Sequence, residues 1–189
     1  PVAPGSYVKK ARVSSGATGV ATKKPEYILN LEASTVLKHI LEGKGYKVIM
    51  TRESHDVNIS NSERAIFANN NKADMVVRVH ADSLNNPGKT GASILIPAKE
   101  SKYTTAIYED SQNCANLISS KMKEAGIKVN GVFERGDLTG FNWSQVPVVL
   151  VEMGFLSNYT EDQMMSNPEY QTKLMQAISD GLDEYFANK

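Results

Sequence analysis

The sequence holds one cysteine, one tryptophan and three histidines in 189 residues. A lone thiol, Cys114, cannot form an internal disulfide, and its place in a helical pattern marks it as an inert core residue. Neither sign of charge is in excess: 21 basic and 21 acidic side chains leave a formal net charge of zero. That balance, with no basic run, argues against a broad nucleic-acid or membrane surface. No apolar run reaches the roughly 18 residues that a membrane-spanning helix needs. No repeat, low-complexity tract or signal-peptide pattern is visible. The chain opens at Pro1, as a chain would after truncation or loss of a targeting segment.

What is present is the pattern of a single globular domain over residues 1–189. Residues 1–25 are rich in Pro, Gly, Ser, Thr and Ala and read as a long loop. From Glu26, the residues Leu29, Ala33, Val36, Leu37, Ile40 and Leu41 recur at helical spacing, until Gly43 and Gly45 stop the helix. "YKVIM" (46–50) reads as a strand. Ser60 and Glu63 form a candidate capping box for a helix running to about Asn70. "MVVRV" (75–79), "GASILIP" (91–97), "IKVNGVF" (127–133) and "PVVLVEM" (147–153) read as further strands, the last of them central. A long helix is predicted over 103–125. Asn167 and Pro168 open a terminal helix carrying Leu174, Ile178, Leu182 and Phe186. Alternating strands and helices, with continuously apolar strands, predict an α/β fold with helices on both faces of a largely parallel sheet. Chemistry in such sheets tends to sit beyond the carboxyl ends of the strands.

Three residues stand out at such ends. His80 closes the strand "MVVRV" just before small and polar residues. Glu152 follows Val148, Val149, Leu150 and Val151; a carboxylate there must be hydrogen-bonded, paired or metal-linked, and burial would suit it to proton transfer near neutral pH. A structural glutamate accepting backbone N–H bonds is the plainer alternative. Glu26 opens the first helix, where an ordinary first-turn role is the default. Glu26, His80 and Glu152 could nevertheless share one sheet edge. Glu and His together suit Zn²⁺, although two protein ligands fall short of the three that catalytic zinc sites usually have. His39, inside a helix, and His55, in a polar loop, are weak candidates for a third. Arg78 points to the same sheet face as His80. Arg135, in "ERGDLTGFN", is placed to meet an anionic group, or else is simply solvated. Phe141 and Trp143 could line a groove or cover the core.

Taken together the segments resemble the zinc-dependent N-acetylmuramoyl-L-alanine amidases of the amidase_3 family. "PEYILNLE" (25–32), "GYKVIMTR" (45–52), "SERAIFANN" (62–70), "ADMVVRVHAD" (73–82), "TGASILIP" (90–97) and "VPVVLVEMGFLSN" (146–158) occur in family order. The resemblance implies a three-layer α/β/α sandwich around a mixed, largely parallel sheet of about five to six strands. It implies Glu26 and His80 as Zn²⁺ ligands, Glu152 as the catalytic carboxylate, and Arg135 as a substrate contact. The implied reaction is hydrolysis of the amide between N-acetylmuramic acid and L-alanine of peptidoglycan, by a protein secreted to the cell wall. One departure is plain. The family opens with a strand and a "D-P-G-H" segment whose histidine also binds zinc, and this chain has neither. Asp82 also stands where the family commonly has Asn. Two expectations follow: an amidase domain incomplete at its N-terminus, with a separate N-terminal segment as the partner that completes it, or a non-catalytic peptidoglycan-binding or regulatory module with a lost or incomplete metal site.

Overall fold

The structure is a computed structural model that describes residues 1–12 and 15–189. Helix α1 spans Glu26–Gly43 and buries Leu29, Ala33, Leu37 and Leu41, one residue per turn along a single stripe. Helix α2, Asn61–Asn70, starts at the expected capping box: the Ser60 side chain accepts from the Glu63 N–H, and the Glu63 carboxylate accepts from the Ser60 N–H. Strand β1 (Val76–Asp82) is followed by β2 (Ala92–Pro97). The helix predicted over 103–125 divides into a 3-10 turn, Thr105–Ile107, and helix α3, Tyr108–Glu124. Then come β3 (Val129–Arg135), the short helix α4 (Thr139–Asn142), β4 (Val148–Phe155), α5 (Tyr159–Met165) and α6 (Pro168–Ala187). Asn167 caps α6 by accepting from the N–H groups of Glu169 and Tyr170.

The strands form one mixed sheet in the order β1-β4-β2-β3. β1 runs parallel to β4 and β2 parallel to β3, while β2 and β4 are antiparallel. β4 is therefore interior, and four consecutive residues at its start, Val148 to Val151, are buried. Period-two alternation sorts its side chains. Val149, Val151 and Met153 join the main core with Val79, Ile94, Ile96 and residues of α1, α3 and α6. Val148 and Leu150 join a smaller core with Ile107, Phe141 and Leu95 on the opposite face. Helices thus cover both faces, giving the α/β/α layering.

The expected five to six strands are corrected to four among the described residues. The difference lies at "YKVIM". Residues 46–50 alternate half-buried Tyr46, Val48 and Met50 with exposed Lys47 and Ile49, as a strand would, yet they join no ladder. A strand exists only through its neighbour's hydrogen bonds, and here none is adjacent. Among the described residues β1, the nearest strand in sequence, pairs only with β4.

Candidate active site

His80 and Glu152 are cross-strand partners at the carboxyl ends of β1 and β4. Their side chains share the face of Val148 and Leu150, by the same alternation. Ser93 of β2 lies opposite Glu152 on the other side.

Glu26 reaches this edge from the first turn of α1. Its Oε1 lies 2.9 Å from Nδ1 of His80 and accepts from Asn30 Nδ2 at 3.0 Å. Its Oε2 accepts from the Ala17 N–H at 3.2 Å. The loop before α1 is folded to deliver that N–H: Thr18 bridges Pro25, and the Glu26 N–H returns a bond to the Ala17 carbonyl. Gly16 has φ +71°, and a Cβ there would collide with the Glu26 carboxylate, so only glycine lets the loop approach so closely. Burial alone would raise the Glu26 pKa. His80, Asn30 and the Ala17 N–H outweigh it and hold the carboxylate below its ordinary value.

Glu152 goes the other way. Burial, followed by the negative charges of Asp82 and Glu26, pushes it up to about 8, against smaller opposing pulls from Arg135 and Arg78. Its Oε2 is buried with no hydrogen-bond partner among the described residues, as are Asn30 Oδ1 and Arg78 Nε. Arg78 is lowered by burial to about 10 and so stays cationic at neutral pH, with Nη2 donating to Asn61 Oδ1 at 2.6 Å. The site thus pairs an ionised glutamate beside a histidine with a second glutamate that holds its proton at neutral pH.

Arg135 ends β3 close enough for its charge to be felt by Glu152 and Asp82. It is not free: Nε and Nη2 bind both oxygens of Asp137 at 2.7 and 2.8 Å. His39 is exposed on α1, and His55 packs edge-on against Tyr27, their ring centroids 5.2 Å apart. Neither joins Glu26 and His80. Phe141 is fully buried and covers the core. Cys114 is buried, and burial pushes its thiol up to about 12, as an inert core residue requires. Sequence reasoning overlooked Asn30 and the Gly16–Ala17 turn. Asn30 stood four residues after Glu26, the spacing that places two side chains on one helix face.

A buried-strand carboxylate, a Glu–His pair at a helix start and α/β/α layering define a three-layer α/β/α domain with a polar site at one sheet edge. The particular family follows from comparison. Residues 10–184 match the family described as N-acetylmuramoyl-L-alanine amidase, Amidase_3, and the chain belongs to it. The chain is 28% identical over 166 residues to a probable cell wall amidase, LytH, of Staphylococcus saprophyticus, covering 87% of this chain and 51% of that protein. It thus spans about half the length of that curated relative. Among solved structures, the apo form of the N-acetylmuramyl-L-alanine amidase Ami1 of Mycobacterium abscessus superposes with a TM-score of 0.86 at 26% identity, covering 94% of this chain and 85% of that one. The N-acetylmuramoyl-L-alanine amidase of Clostridium difficile 630 gives 0.83 at 27%, covering 93% and 91%.

Zinc is the metal this family implies. The donors present do not complete a catalytic centre for it. Glu26 and His80 are brought together and are bonded to each other. Among the described residues no group of three His, Cys, Asp or Glu side chains could hold a metal ion. A catalytic zinc usually takes three protein ligands and a water.

Proposed function

We propose that this chain, acting alone, is a peptidoglycan-recognising domain of the amidase family that binds the glycan–stem-peptide junction without hydrolysing it. The observation that carries the reading is the two-donor set, Glu26 and His80, where a catalytic zinc needs a third. Family membership supplies the substrate class, and with it a place outside the cell at the wall. Among the described residues no helix is long and apolar enough to cross a membrane. Arg135 is the side chain best placed to meet an anionic stem-peptide carboxylate, by exchanging Asp137 for it.

A second reading has its own support. Glu152 is protonated at neutral pH and has an unpaired buried oxygen, features that suit a proton-transfer group more than a structural one. On this reading the domain is an N-acetylmuramoyl-L-alanine amidase that becomes active once a third zinc ligand is supplied from outside residues 1–189.

One experiment separates the two. The purified chain is incubated with peptidoglycan sacculi, with and without added Zn²⁺. Sedimented protein and newly released alanine amino groups are both measured. Binding without release, weakened in an Arg135→Ala variant, is expected. Release of alanine amino termini that disappears in a Glu152→Gln variant would overturn the binding-only reading and establish hydrolysis. Bound zinc by elemental analysis should lie well below one per chain.

A further inference from the structure

Asp162 is fully buried on α5, yet its carboxylate takes no part in capping that helix. Asn158 does so, its side chain accepting from the Glu161 N–H at 3.0 Å. Among the described residues the Asp162 carboxylate bonds only to residues 140 positions or more away: Oδ2 accepts from the N–H groups of Ala21 and Thr22, and Oδ1 from the Thr22 hydroxyl. Gly19 lies against the same group, where a Cβ would collide with it. A buried carboxylate is costly unless it is bonded, and all these bonds go to one loop.

That loop is a hairpin. Its rungs are the Gly19 N–H on the Lys24 carbonyl at 2.9 Å, the bridge between Thr18 and Pro25, and the Glu26 N–H on the Ala17 carbonyl at 2.9 Å. Asp162 holds the tip. At the base, the Ala17 N–H bonds to Oε2 of Glu26 at 3.2 Å. Two residues, roughly 7 Å at about 3.4 Å per residue, separate Gly19 from Ala17 along the ribbon. The anchor is itself tied to the sheet. Glu161 accepts from the Phe155 N–H at the end of β4 and from the Gly91 N–H just before β2, at 2.8 and 2.6 Å. The Val20 N–H adds a bond to the Leu156 carbonyl at 3.0 Å. The hairpin tip is thus fixed to the strand that carries Glu152.

Orientation is what the base of the hairpin supplies. The terminal torsion of a glutamate is broad, so a bond from Asn30 to Oε1 leaves the plane of the Glu26 carboxylate free to turn. The Ala17 N–H on Oε2 fixes that plane and keeps Oε1 on Nδ1 of His80, 2.9 Å away. We propose that Asp162 is a positioning residue: by holding the tip of hairpin 17–26 it fixes the Glu26 carboxylate on Nδ1 of His80. The inference stands whichever reading of the site's function holds.

The test reads His80 directly. The bonds that the two ring nitrogens make decide which of them carries a proton, and imidazole nitrogen NMR shifts report the outcome. Wild type, Asp162→Ala, Gly19→Ala, Asp162→Asn and Gly181→Ala are compared at one pH, with His39 and His55 assigned through their Gln variants. In Asp162→Ala the share of His80 protonated at Nδ1 should fall by about twofold or more. Gly19→Ala keeps the carboxylate but pushes the hairpin off it, so it should act alike, and it decides the matter if Asp162→Ala does not fold. Asp162→Asn keeps an oxygen for both N–H groups and should retain the wild-type signal. Gly181→Ala, which strains the contact of α3 with α6, controls for lost stability and should leave His80 unchanged. An unchanged His80 signal in a folded Asp162→Ala or Gly19→Ala protein would overturn the proposal. So would an Asp162→Asn signal as altered as that of Asp162→Ala, or an equal change in Gly181→Ala, which would leave Asp162 a merely structural residue.

Discussion

Replacing Glu152 by Gln should stabilise the protein, and increasingly so as pH rises. The Glu152 carboxyl has a folded pKa of about 8 against an ordinary 4.5. The folded state therefore keeps a proton that the unfolded state has released, over the whole interval between those values. Stability falls with rising pH wherever the folded state binds more protons. The loss begins near pH 4.5, grows until about pH 8, and is constant above it. An interval of about three and a half pH units at about 1.36 kcal/mol each sets a ceiling of about 5 kcal/mol. Water reaching the incompletely buried side chain screens part of this, so about 2–3 kcal/mol is expected. Glutamine keeps the shape and carries no charge, so the variant escapes the loss. Urea unfolding of both proteins at pH 5 and pH 9 reads the effect. The variant's advantage should grow by about 2–3 kcal/mol between the two, about 1 M or more in urea midpoint. Groups that titrate alike in both proteins cancel in the difference. An advantage that does not change with pH would refute the assignment of an electrostatically strained, buried Glu152.

Two further outcomes test the scaffold around the site. Asp162 is fully buried and accepts from the N–H groups of Ala21 and Thr22, both at 2.7 Å, and from the Thr22 hydroxyl at 2.8 Å. Asp162→Ala leaves those donors unpaired and should cost about 3 kcal/mol in urea unfolding, with amide exchange over residues 17–25 accelerating first. At Gly181 of α6 a Cβ would stand 2.6 Å from the Ile118 Cα of α3. Gly181→Ala should lower stability by about 2 kcal/mol in spite of alanine's better helix propensity, because it forces backbone from backbone; a stabilised variant would show that the two helices separate freely.

Much of the frame could be read from the chain alone. The stripe Leu29–Ala33–Leu37–Leu41, the Ser60–Glu63 box and the Asn167–Pro168 start are local signals, and local physics decides them. The central place of β4 followed from its unbroken apolar run, since only a strand covered on both faces carries one. Residues 46–50 misled for the converse reason. Their alternation is local, but a ladder needs a neighbour, and neighbours are invisible to periodicity. α4 and α5, with four and seven residues, are too short to show a helical period. At the site, residue types marked Glu152 and His80, but register alone made them partners. Glu26 read by position as an ordinary first-turn acid; it was the resemblance that set it beside His80, 54 residues away, and the fold brings their side chains to 2.9 Å. The Arg135–Asp137 fork lies within three residues of sequence, a local pairing as open to reading as a helix cap.

The order of strands has a consequence for how the molecule comes into being. β4 is the last strand made, yet it occupies the interior, between β1 and β2. Until it is synthesised, β1 has no hydrogen-bonded strand neighbour among the described residues, and the pair β2–β3 has no third strand to join among them. Assembly must therefore wait for contacts some 70 residues apart in the chain, such as Val76 with Val148. Long-range closure of this kind slows folding and leaves apolar strands bare meanwhile. A fragment ending before Val148 would hold only the β2–β3 pair, with β1 left out of the sheet among the described residues, so proteolytic or genetic truncation there should yield an aggregating chain and not a smaller domain.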